Sequence, residues 1–266
     1  MKEKYVLTEY QLNADLPRAI TLALVTDLHE HDPGPVLALL RKAAPDLILV
    51  AGDTFERNES GSDPRSRSDY GTMSRLVHGV IRWLDDLAER FMAAGRRDPA
   101  NGYRFIREAA EIAPVYLSLG NHEWYLDEQD RALFEQTGVT LLDNWDVTVT
   151  VKGETLRVGG LSSRVDLDWL ERFADKDGYK LLLCHHPEYF RRYVKDKPID
   201  LMLSGHAHGG QIRVLGRGIF SPGQGVLPKY TRGVYEQRLV VSAGCANTAS
   251  IPRWGNPCEV VTIRLG

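Results

Sequence analysis

Cysteine is scarce in this chain, and the little there is forms no pattern. Cys184, Cys245 and Cys258 are widely separated and odd in number, with no CxxC pair. A disulfide framework and a zinc ribbon are therefore excluded, and buried, reduced thiols are expected. Long apolar runs are missing too. No stretch reaches the about 20 residues that span a bilayer, so no transmembrane segment is expected. The opening MKEKYVLTEYQLNADLPRA contains nothing resembling a leader or an anchor. A dominant sign of charge is also lacking: 33 Lys and Arg face 36 Asp and Glu, a formal net of −3. That balance leaves no electrostatic footprint for a nucleic-acid partner. Together these absences indicate a cytoplasmic protein.

What is present suits a sizeable core. The 266 residues are 43% hydrophobic, enough for one large α/β domain spanning 1–266. Five short apolar runs each end abruptly in polar residues. ITLALVTDLHE meets Asp27 and His29, DLILVAGDTF meets Asp53, and PVYLSLGNHE meets Asn121 and His122. KLLLCHHPE meets His185 and His186, and DLMLSGHAHGG meets His206 and His208. Continuous apolar runs of this length read as strands covered on both faces. Between the first two lies PGPVLALLRKAAP, and before the third GYRFIREAAEIAP, both helical in pattern. Strand, helix, strand in this rhythm implies parallel crossovers, and ligand sites gather at the carboxyl ends of such strands.

Two regions depart from the rhythm. Residues 56–98 read as an insertion: a polar loop, then an amphipathic helix with Val77, Ile81, Leu84 and Phe91 at helical spacing. That helix is expected to pack on the sheet, with peripheral membrane contact as the alternative use of its apolar face. Residues 139–160 alternate between apolar and polar and predict an antiparallel meander. The tail supplies two more strands, LVVSAG and EVVTIRL.

The chemistry lies in the polar clusters. Asp27 and His29 are two residues apart, as are His206 and His208, and in extended backbone i and i+2 share a face. Asp53 and Asn121 add oxygen donors, and one histidine of the pair at 185 and 186 adds a nitrogen. Adjacent residues on a strand point to opposite faces, so the two are not equals, but spacing alone does not choose between them. The donor set is nitrogen and oxygen without thiolate, which favours Mn²⁺, Fe²⁺/³⁺ or Zn²⁺. Seven donors exceed the usual three protein ligands of a single catalytic ion. They fit two ions sharing a carboxylate, an arrangement that hydrolyses phosphate esters. Of eight histidines only His78 lies away from these clusters. His31 and Asp32 sit beside the first cluster; His31 could back up a ligand, though both read as solvated loop residues.

The motifs DLH, GD, GNHE, the strand-end histidine and GHAH occur in the order found in the calcineurin-like metallophosphoesterases, which this chain resembles over about residues 20–210. SGHAHGGQI and the residues after it look like the bacterial branch of small phosphodiesterases and UDP-2,3-diacylglucosamine hydrolases. The resemblance implies a four-layer αββα sandwich with a dinuclear metal site. Asp27, His29 and His208 would hold one ion, Asp53 would bridge, and Asn121, His206 and His185 would hold the other. The family's H-x-P register selects His185 and leaves His186 near the site's edge. His122 would stabilise the transition state or protonate the leaving group, and a metal-bridging hydroxide would attack phosphorus, with Asn121 touching a phosphate oxygen. Relatives often begin with an anchor and have a shorter segment than 56–98. The implied activity is hydrolysis of phosphodiester or pyrophosphate bonds. Phosphomonoester or phosphoprotein hydrolysis, a nuclease activity and a catalytically silent scaffold are the alternatives.

Overall fold

Two six-stranded sheets face each other, and helices cover both outer faces. The computed structural model describes residues 4–57, 97–221, 224–247 and 253–266. Most of the expected 56–98 insertion lies outside the described residues. In chain order the strands are β1 (Tyr5–Leu12), β2 (Ile20–Val25), β3 (Leu47–Ala51), β4 (Val115–Ser118), β5 (Thr140–Leu141), β6 (Trp145–Val151), β7 (Glu154–Leu161) and β8 (Tyr179–Cys184). They continue with β9 (Leu201–Ser204), β10 (Arg213–Val214), β11 (Arg217–Gly218), β12 (Phe220–Ser221), β13 (Gly225–Val226), β14 (Gly233–Tyr235), β15 (Leu239–Val241) and β16 (Cys258–Leu265). The described α-helices are α1 (Gly34–Ala43), α2 (Pro99–Ala110), α3 (Glu128–Thr137) and α4 (Leu167–Ala174).

The first sheet has the order β1-β16-β2-β3-β4-β5 and the second β14-β15-β9-β8-β7-β6. Each has a parallel centre: β2, β3, β4 and β5 in the first, β7, β8, β9 and β15 in the second. Strand alternation sorts the side chains into layers. Leu181 and Leu183 of β8 join Leu22, Leu24, Leu49 and Val240 between the sheets. Leu182 and Cys184 point the other way, onto Trp169, Leu170 and Phe173 of α4. On the far side Val25, Ile48 and Val50 meet Leu37, Leu40, Phe105 and Ile106 of α1 and α2. This is the αββα sandwich. All three cysteines are buried and free.

Helix starts follow local chemistry. Asp98 accepts the Ala100 N–H ahead of Pro99, Asp127 and Asp130 form a reciprocal capping box, and Asp166 accepts the Trp169 N–H. The meander expected over 139–160 is only half present. β6 and β7 are antiparallel, joined by Lys152 and Gly153 at φ 52° and 86°, the left-handed pair of a tight hairpin. β5, however, pairs parallel with β4 in the other sheet. The cause is α3, which ends at Gly138 with φ 72° and returns the chain as a crossover.

Candidate metal centre

All five polar clusters lie just beyond the carboxyl ends of β2, β3, β4, β8 and β9. Backbone bonds knit these loops into one crest. His29 N–H donates to Asp53 C=O (2.9 Å), Arg57 N–H to His122 C=O (2.7 Å) and Gly205 N–H to His185 C=O (3.1 Å). His206 N–H reaches across to Asp27 Oδ1 at 3.1 Å, joining the two sheets.

The i, i+2 pairs converge, but not through extended backbone. Asp27, His29, His206 and His208 have φ of 54°, 48°, 62° and 44°, and Asp53 has 58°. Left-handed turns, not strand pleats, aim these side chains. For residues other than glycine such conformations cost about 1–3 kcal/mol each and tend to cluster at functional sites. Two glycines admit the carboxylates: a Cβ on Gly120 would lie 2.0 Å from Asp53 Oδ1, and one on Gly205 2.4 Å from Asp27 Oδ2.

Beside a triplet of His29, Asp53 and His122, two others form, Asp27, His29 and His208, and Asp53, His185 and His206, with donor atoms in each within 4.8 Å of one another. Asp53 Oδ2 stands between them, 3.6 Å from His29 Nε2 and 2.9 Å from His185 Nε2. Asp27 Oδ1 lies 3.9 Å from His29 Nε2 and 3.6 Å from His208 Nε2. Asp27, His29 and His185 have no exposed surface and Asp53 almost none.

The site's unmet bonding fits a cation. His29 Nε2 and Asn121 Oδ1 are buried without a hydrogen-bond partner among the described residues, and His185 Nε2 faces only the Asp53 carboxylate at 2.9 Å. The opposite ring nitrogens are engaged: His29 Nδ1 lies 2.7 Å from Glu56 Oε1, and His185 Nδ1 2.7 Å from the Ala51 carbonyl oxygen. In the neutral ring such contacts place the proton on Nδ1 and leave the Nε2 lone pair turned inward. The protonation states carry the same signature. Burial disfavours charge on Asp27 and Asp53, yet the surrounding histidines hold both well below the usual carboxylate range. Burial also works against charge on His29 and His185, but the carboxylates win and push them up to about 10 and about 9. His208 goes down to about 3, from burial first, although Asp27 opposes it, with Arg253 at 3.3 Å helping to keep the ring neutral.

His185 and His186 part company. His185 belongs to the Asp53 triplet, whereas His186 turns to Ser163 Oγ (3.1 Å) and Glu188 Oε1 (3.3 Å). It still touches the site's edge, its ring centroid 4.3 Å from that of His206 and within a further group with Glu188. His31 is not solvated as expected. It is buried, its Nδ1 3.0 Å from the His29 carbonyl oxygen, because the loop after β2 folds back under the crest. Asp32 is exposed.

Three acids and bases escaped the sequence reading. Glu56 joins His29 to His122, its two oxygens 2.7 and 2.8 Å from their Nδ1 atoms. Burial alone would raise its pKa, but His122 and His29 hold it far below the usual range. Glu123 accepts the N–H groups of Asp53, Thr54, Phe55 and Gly120 at 2.8–3.0 Å and so shapes the bend that presents Asp53. Arg57 forks onto Asp130 (2.8 and 2.9 Å) and reaches Glu30 at 2.7 Å, all three buried. The one signal for Glu56 was its place three residues beyond Asp53; the sequence reading assigned it to the polar insertion. His122 is more open than the donors, with 30% of its side chain exposed, and its ring edge meets His29 at 4.6 Å.

Comparison with known proteins agrees with this geometry. An uncharacterized metallophosphoesterase of Aquifex aeolicus is 30% identical, the match covering 99% of this chain and 90% of that protein. YpbG of Bacillus subtilis is 26% identical over 73% of this chain, and the UDP-2,3-diacylglucosamine pyrophosphatase LpxG of Chlamydia muridarum 24% identical over 73%. The chain spans only 63% and 64% of the lengths of those two. The profile of the calcineurin-like phosphoesterases matches residues 20–210, most of the chain and all of the crest. The chain therefore belongs to the calcineurin-like phosphoesterase family.

Proposed function

We propose that the crest is a dinuclear centre cleaving phosphodiester or pyrophosphate bonds. The observation that carries this reading is Asp53 Oδ2, which stands between His29 Nε2 and His185 Nε2 at the meeting of two donor triplets. In this reading Asp27, His29 and His208 hold one ion, Asn121, His185 and His206 the other, and Asp53 both. When bound, the two ions activate water and neutralise charge on the phosphoryl oxygens. His122 serves as the acid for the leaving alkoxide or phosphate. Its partial exposure supports this, since the leaving group must depart toward solvent, and its Nδ1 contact with Glu56 fixes the ring. Asn121 orients a phosphoryl oxygen. The cleavage of a pyrophosphate link is further supported by the name of the Chlamydia relative.

The test is stripping with chelator, reloading with Mn²⁺, and metal analysis beside rates on a generic diester, a generic monoester and a nucleotide-sugar pyrophosphate. About two ions per chain are expected, with diester or pyrophosphate preferred and no turnover after Asp53→Ala. His122→Ala should keep its metal and lose most of its rate. A monoester preference, a single ion, or full metal loading without hydrolysis of any substrate overturns the reading.

A further inference from the structure

Nine large apolar side chains are exposed among the described residues, and six of them belong to one projection: Val214, Leu215, Ile219, Val226, Leu227 and Trp254. The projection starts where the turn at His208–Gly210 leaves the crest. It consists of the β10–β11 and β12–β13 ribbons, tied together by Ile219 N–H to Ile212 C=O (3.0 Å) and Leu227 N–H to Ile219 C=O (2.8 Å). Trp254 is fastened alongside, its carbonyl accepting the Arg213 N–H at 2.9 Å. Leu215 is 99% exposed, Trp254 77% and Leu227 74%. Apolar area concentrated this way marks an interaction surface, not ordinary scatter.

The backbone sharpens the point. Leu215 and Leu227 have φ of 49° and 52°, a conformation suited to glycine or asparagine and unfavourable for a leucine. Neither side chain is buried in return, so the fold gains nothing from these residues at these positions. Their apolar side chains stay exposed among the described residues.

Charge narrows what this face meets. From Leu201 to Tyr235 the sequence has four cations, Arg213, Arg217, Lys229 and Arg232, and no carboxylate, in a chain whose net charge is −3. All four line one cavity of about 530 Å³ beside Leu227. Arg232 is satisfied by Glu259 at 2.6 Å and Arg213 donates to the Gly209 carbonyl and Thr231 Oγ1 at 2.9 and 3.0 Å, whereas Lys229 has a longer ion pair, 3.9 Å from Glu236, and lies 4.9 Å over the Tyr230 ring. A second copy fits badly, because a symmetric interface would set this basic patch against itself. Nucleic acid would satisfy the cations and leave the leucines in water. We propose that this face docks on an anionic lipid bilayer, with Leu215, Leu227 and Trp254 entering the headgroup layer and Arg217 and Lys229 meeting lipid phosphates. The inference does not depend on the metal chemistry proposed above.

The test is co-sedimentation of the full chain with vesicles of phosphatidylcholine, with and without phosphatidylglycerol. Binding to the anionic vesicles should be about 30-fold tighter, the factor that two cations near a charged surface supply, and should weaken with salt. The double variant L215D/L227D should lose it while keeping the parent melting temperature. Should that variant misfold, R217E/K229E tests the charge separately, and W254F the vesicle-induced blue shift of tryptophan emission. No vesicle binding, equal binding to neutral and anionic vesicles, retention on DNA alone, or a dimer in light scattering that L215D/L227D dissolves would each overturn the proposal.

Discussion

Glu56 presents one carboxylate to two histidines with different duties, so its loss separates them. Glu56→Gln keeps the size and removes the charge. Metal affinity should fall about 10–100-fold as the His29 ring loosens. At saturating Mn²⁺ the metal content should recover, whereas kcat should stay down by about 10²-fold or more because His122 has lost its orienting anion. Equal recovery of both would deny Glu56 a role through His122. Protons compete with metal on the same rings. His29 and His185, raised to about 10 and about 9, carry protons in the metal-free protein at neutral pH. Their folded pKa values lie above the unfolded ones, so protonation stabilises the metal-free fold at low pH and that contribution is lost as pH rises through 9 to 10. Metal binding must expel these protons. Apparent affinity should therefore climb with pH and level off above about pH 10, and calorimetry in buffers of different ionisation enthalpy should register proton release at pH 7. At this scale the sequence pointed to the side chains that converge on the crest and was silent about their supports. Donors are rare residue types at strand ends, but Glu56 and Glu123 look like any polar loop residue until three-dimensional contacts give them their work.

The loop that follows β3 is anchored through Arg57, and its partners come from two other elements. Asp130 belongs to the first turn of α3, where it also completes the capping box, and Glu30 lies in the loop after β2. Arg57→Met would leave two buried carboxylates without their cation, a loss of about 3–5 kcal/mol, readable as a lower denaturant midpoint. The double variant with Asp130→Asn should be less destabilised than the sum of the single changes. Which elements were legible follows from burial. The parallel strands β2, β3, β4, β8 and β9 are apolar without interruption because both faces are covered, and they were readable as such. β1 was not, because it is an edge strand whose Thr8, Glu9 and Gln11 are only partly buried or exposed. α3 and α4 are short, and α3 carries four charges in ten residues, so periodicity had little to work on.

At the scale of the whole molecule, the candidate centre draws donors from both halves of the sandwich. Asp27, His29, Asp53 and Asn121 follow strands of the first sheet, and His185, His206 and His208 follow strands of the second. Bound metal would tie the sheets together at one rim. Removing ions present at about 1,000 times their Kd should cost about 4 kcal/mol per site, a fall in Tm on the order of 10 °C for each in a chain of this size. Scanning calorimetry with and without chelator measures it, and Asp53→Ala should respond far less. The placement of β16 has a different consequence. It lies between β1 and β2, antiparallel to β2 and parallel to β1, pairing Tyr5 with Cys258 and Leu12 with Leu265. During synthesis β2 must wait, one edge unpaired, until residues 258–265 have cleared the ribosome, while β1 has no neighbour at all. An apolar strand with an open edge invites pairing with other chains. The nascent protein therefore keeps an apolar strand edge open until the last described strand inserts between β1 and β2.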